Sequence, residues 1–194
     1  MIRRRLRGIA ADRKGATIVE FALISPVLCV VLLGFIDLGY RSYVSSVIQG
    51  ALQEAARNAT VGTKTGAQID ALVISRLKSF SKYSTPVINK TSYSDYSGVQ
   101  MPEKITSDTA PVGVYNSTDC YEDANNHGKY DLDRGKTGLG GADDVVYYEI
   151  VLTFPRIVPL GKILGFSNTQ TIRAATVMQN QPFAARSVPP VLCK

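Results

Sequence analysis

The 194-residue sequence has one histidine, His127, and three cysteines, Cys29, Cys120 and Cys193. One histidine confines histidine chemistry to a single position and excludes dyads and metal triads built from several imidazoles. No C-x-x-C occurs, so neither a zinc ribbon nor a thioredoxin-type motif is supported. The stretch RGKTGLGG, 134–141, looks at first like a phosphate-binding loop. The glycine such a loop requires five residues before its Gly-Lys pair is Tyr130, and the match fails. The glycines are read instead as a flexible turn. Asp143 and Asp144 are adjacent and would face opposite sides of an extended chain. No Ser-His-Asp arrangement is legible, and no enzymatic site is expected.

Charge is lacking over most of the chain. The net charge is +6, but residues 1–15 alone carry +5, from Arg3, Arg4, Arg5, Arg7, Arg13 and Lys14 against Asp12. The remaining 179 residues carry +1. A nearly neutral body is not a nucleic-acid surface. A basic tip ahead of an apolar run is a topology signal instead.

That run extends from Ile18 to Ile36 with one charge, Glu20, and is closed by Asp37 and Arg41. Its length suits a membrane-spanning helix. A cleaved secretory signal would have a shorter apolar core and a small-x-small site. A plain single-span anchor fits the length but leaves Glu20 unexplained, because a carboxylate at bilayer depth is costly. The positive-inside rule places residues 1–15 in the cytoplasm and the chain beyond Asp37 outside. Cys29 falls inside the run and reads as a small buried hydrophobe.

Beyond Asp37, Val44, Val47, Ile48, Ala51, Leu52, Ala55, Ala56 and Ala59 recur on one helical face, and Gly62 is a plausible stop. One helix from Ala16 to Gly62 would be about 70 Å long. Residues 67–80 read as a second amphipathic helix, with Ile69, Leu72, Val73, Leu77 and Phe80 on a face. Residues 84–119 read as short strands and loops. The best strand is VVYYEIVLTF, 145–154, too apolar for an edge; TQTIRAATVMQ, 169–179, is the second. The linker between them, PRIVPLGKILGFSN, is expected to form a short helical turn packed on the sheet. The fold class is therefore α+β: a long N-terminal helix, half membrane-spanning and half outer, packed on a small antiparallel sheet. The divisions are a basic leader (1–15), a transmembrane helix (16–37), the outer half of that helix (38–62) and an outer α+β domain (63–194).

DANNHGKYDLD, 123–133, carries the most chemistry. Alternating oxygen-bearing residues and a glycine in sixth place are how a short loop wraps calcium. Asp123, Asn125, Asp131 and Asp133 are the candidate ligands. His127 in fifth place is a poor one, and Arg134 stands in twelfth place, where a bidentate glutamate is expected. A loop held by Asx turns is the competing reading. Calcium is the sole candidate cofactor, and its affinity is expected to be weak.

The basic leader, Gly15, the small Ala16, Glu20-Phe21 and Pro26 together resemble the class III signal of type IV pilin-like proteins. More narrowly, GATIVEFALISPVLCVVLLGFIDLGY resembles the TadE-like family of tight-adherence, or Flp-type, pilus systems. IRAATVMQNQPF resembles the family's closing strand and its NEPF-like turn, with Gln181 in place of the glutamate. The likeness covers about residues 13–60 and 145–183. It implies a minor pseudopilin cut by a prepilin peptidase between Gly15 and Ala16, with Glu20 and Phe21 serving assembly. The implied partners are that peptidase, other minor pseudopilins, the major pilin, the inner-membrane platform and the membrane itself. The implied location is the bacterial inner membrane, single-pass, with the C-terminal domain in the periplasm or at a pilus. On that oxidising side Cys120 and Cys193 are expected to pair. A membrane-anchored binding module with a calcium-stiffened loop is the alternative.

Overall fold

The computed structural model describes residues 15–62, 64–80, 85–158, 161, 165, 167–181 and 188–193. Helix α1 runs unbroken over Ala16–Val61. Gly62 ends it: at φ 69° its N–H reaches the Ala59 carbonyl, a left-handed cap open to glycine at little cost. In the outer half, Val44, Ile48, Ala51, Leu52, Ala55 and Ala59 are buried on one stripe. The alanines let the helix lie close to what covers it.

Helix α2, Gly66–Leu77, begins in a capping box. Thr65 Oγ1 accepts the Gln68 N–H, and Gln68 Oε1 accepts the Thr65 N–H. Ile69, Val73 and Leu77 are fully buried against α1. The expected helix 67–80 thus ends three residues early. Phe80 lies in the following turn, yet its ring still packs against Tyr40 and Tyr43.

The strands are β1 (Val87–Tyr93), β2 (Ile105–Ser107), β3 (Cys120–Glu122), β4 (Lys136–Thr137), β5 (Val145–Pro155), β6 (Thr169–Gln179) and β7 (Val191–Cys193). The main sheet has the order β4-β1-β5-β6 with antiparallel neighbours. β5 lies inside it, as its apolar composition predicts. Val146, Tyr148, Ile150, Leu152 and Phe154 point to the helices and are buried. Register aligns Leu152 with Ile172 and Val146 with Met178, so both strands present one apolar face to α1. Tyr148 also donates from its hydroxyl to Asp70 Oδ1 at 2.9 Å, and Lys90 pairs with the same carboxylate. This polar tie joins α2 to the sheet.

β1 is a regular seven-residue partner of β5, where the sequence suggested only short pieces. Its pairing fixes the layout. Tyr93 lies opposite Val145, at the end of β5 away from Phe154. The chain from 94 to 135 therefore leaves from that end, while the β5–β6 hairpin turns at the other. A second sheet, β2-β3-β7, forms in this far region. Its centre is three tyrosines: Tyr115 stacks on Tyr130 at 4.1 Å between ring centroids, and both meet Tyr121 edge-on. Six of the fourteen residues of the linker expected to form a helical turn, Leu160, Ile163, Leu164 and Phe166 among them, lie outside the described residues.

Candidate functional site

Before Asp37 no described residue of α1 is buried. Ile18, Val19, Phe21, Leu23, Ile24, Val27 and Leu28 are all exposed. It is the one helix among the described residues long and apolar enough to cross a membrane. Glu20 and Phe21 lie on this bare stretch, and Glu20 has no ion pair with a described residue. Cys29, read as buried, is exposed here; any burial must come from lipid or another chain. Gly15 occupies the N-cap position without a side-chain cap. A Cβ built on it meets nothing within 4 Å, so the fold does not require glycine there.

At the root of the bare stretch the helix is fastened to the domain. Asp37 is buried, and the Arg156 guanidinium donates to its Oδ2. Arg156 stands just past β5, and its Nε donates to the Ser167 carbonyl at 3.0 Å. One turn along, Tyr40 packs edge-on to Phe154 at 5.8 Å. Reading Asp37 only as the end of an apolar run missed this role. Its partner is distant in sequence, and no local pattern announces it.

The loop 123–133 lies at the far end, and its carboxylates are already hydrogen-bonded. Asp123, fully enclosed, accepts the N–H groups of His127 and Gly128 at 3.1 and 2.8 Å. Asp131 Oδ2 meets Asn125 Nδ2 at 2.8 Å and His127 Nε2 at 2.6 Å. Asp133 is directed elsewhere, accepting from the Tyr93 hydroxyl and the Gly135 N–H. The four candidate calcium ligands do not converge. Among the described residues no group of three or more His, Cys, Asp or Glu side chains is placed to hold a metal ion. The donor set fits an Asx-turn loop better than a calcium loop.

Two residues given no role by the sequence organise this region. Glu103 is buried and clamps the loop, accepting the N–H groups of Ala124 and Asp131 at 3.0 Å each. Burial pushes its carboxyl above the ordinary range; the backbone donors oppose this, and the nearby Asp123 and Asp131 charges add to it. Arg134, the misfit in twelfth place, caps a 3₁₀ turn at Tyr96–Gly98. Its Nη2 reaches Asp95 Oδ1 at 2.9 Å and its Nε the Gly98 carbonyl at 3.3 Å. A Cβ on Gly98 would sit 1.8 Å from this guanidinium, which would have to move aside.

Asp95 sits below the usual carboxylate range, chiefly through the Ser97 hydroxyl bond, with Arg134 and the Gly98 N–H assisting against burial. Asp119 is also held low: burial pushes it up, but donors from Thr109 and Asn116 outweigh that. A depressed folded pKa adds stability above the unfolded value, about 4, and that stability is lost as pH falls through the folded value. Glu103, shifted up, has the opposite sign and is favoured by acid. The expected result is loosening of 95–119 below about pH 4. Amide exchange at Gly98, Thr109 and Asn116 should rise there while the β5 amides stay protected. Exchange that rises equally in both places would refute this local account.

The family model described as TadE-like protein matches residues 15–57. The matched span covers the bare half of α1 and nearly all of its packed half. It is the family that Gly15–Tyr40 resembles. The match does not extend to 145–183, where the second resemblance was seen. No curated protein and no solved structure matches the chain.

Proposed function

We propose that this protein is a minor pseudopilin for assembly of a Tad-type pilus. The observation that carries the reading is the division of the family-matched helix: an exposed apolar half bearing Glu20, continuous with a half locked into a folded domain. A continuous helix of this kind transmits the position of the domain to whatever packs on its bare half. The bare half would insert in the inner membrane, with residues 1–15 in the cytoplasm and the α+β domain in the periplasm or at a pilus. A prepilin peptidase would cut between Gly15 and Ala16. Other minor pseudopilins, the major pilin and the inner-membrane platform would be its partners. The calcium-stiffened binding module has less support, because Asp123 and Asp131 already accept from the loop's own N–H groups and Asp133 is directed elsewhere.

Processing tests the reading. Co-expressed with the peptidase, the membrane-fraction protein should begin at Ala16 by N-terminal sequencing. Gly15→Leu should retain the leader and leave folding intact, since nothing in the described structure crowds that position. Cleavage of the leucine variant at the wild-type rate would rule out a pilin-type signal here.

A further inference from the structure

The β5–β6 hairpin turns at the root of the bare helix, and three observations fix its height. Ile18 to Ile36 rise about 28 Å, close to the roughly 30 Å thickness of a hydrocarbon core. Asp37, the next residue, holds Arg156 at the neck of the hairpin. The neck is closed by the Arg156 N–H on the Asn168 carbonyl at 2.8 Å. Around the same level stand Tyr40, Tyr43, Phe80 and Phe154, each in ring contact with another of the four. Tyrosines at such a level suit the headgroup layer. Immediately past Arg156, Ile157 is 54% exposed although it is large and apolar. Leu38 and Tyr43 are similarly exposed on the helix beside it. In sequence Ile157 opens the run IVPLGKILGF, which has one charge, Lys162.

Resting on the membrane-anchored reading above, we infer that Ile157 and the neck of this hairpin are seated in the headgroup layer of the same bilayer that α1 crosses. The occupant of this apolar rim is lipid, because the rim is continuous with the lipid-facing helix and held to it by the Asp37–Arg156 pair. The domain then has two attachments to the membrane, and they prevent it from tilting freely about the helix.

The absence of tryptophan from the chain allows a direct test. Single-tryptophan variants Ile157→Trp, Val30→Trp and Val112→Trp of the full protein are placed in nanodiscs of phosphatidylethanolamine and phosphatidylglycerol. Val112 is exposed in the far region and serves as the aqueous reference. The tryptophan at 157 should show blue-shifted emission, loss of iodide quenching and quenching by lipids brominated near the glycerol. At 30, quenching should come from lipids brominated deep in the acyl chain; at 112, from iodide alone. Iodide quenching at 157 equal to that at 112, with 30 still in lipid, overturns the inference and leaves the anchor standing. Iodide quenching at 30 as well overturns both.

Discussion

Glu20→Ala is expected to abolish or severely reduce piliation while the mutant protein is cleaved, inserted and folded as the wild type is. After cleavage Ala16 would carry a free amine, charged at neutral pH. Glu20 lies four residues on, about one helical turn, within reach of that amine or of one on a neighbouring subunit. Pairing lowers the cost of a charge held near lipid. The competing account is a simple interaction with the positive end of the helix, worth about 0.3 to 1 kcal/mol. Such a contribution is too small to decide whether a filament forms. The fold makes the experiment clean: Glu20 lies on the bare half of α1, remote from the buried stripe that begins at Val44. Electron microscopy of cells and co-purification with other pilin-like subunits read the outcome. Normal pili with the variant present at wild-type level would reduce Glu20 to a cap.

Replacing Cys120 and Cys193 together by serine should open the far region without dissolving the helix–sheet core. The two residues are bonded in register across β3 and β7, 73 positions apart. Closing a loop of that length is worth about 4 kcal/mol in the chain-entropy account. The sheet it secures has little else. Its strands have three residues each, and its packing rests on Tyr115, Tyr121 and Tyr130. By contrast, α1, α2, β5 and β6 share a continuous apolar core that contains neither cysteine. Limited proteolysis should therefore cut the serine variant between 99 and 135 first, with exchange protection kept in β5 and β6. Cleavage resistance equal to the bonded protein would show that the tyrosines and buried carboxylates suffice.

What was legible in the sequence was what repeats locally. The apolar run and the three-and-four spacing after it announced one helix from Ala16 to Gly62, and the helix is there. β-branched and aromatic alternation announced β5 and β6, with β5 interior. The Gly15–Glu20 pattern led to the family whose model matches 15–57. Periodicity is enough for such elements, because each is decided by its own residues and one buried face.

Only the tertiary structure decided the rest. The Asp37–Arg156 fastening joins residues 119 apart, and each alone looks like an ordinary surface charge. Glu103 and Asp119 carry no local signal and Asp123 resembles a calcium ligand, yet all three are buried on backbone N–H groups. Asn180 ends β6 by donating to the carbonyls of Leu139 and Gly141, tying the strand to the glycine turn that precedes β5. A run of acidic and amide residues is consistent with a metal loop or with a self-satisfied turn. The two differ in where the oxygens point, and that direction depends on chain folded from elsewhere: Glu103 drawing in the amides of Ala124 and Asp131, and Tyr93 turning Asp133 away.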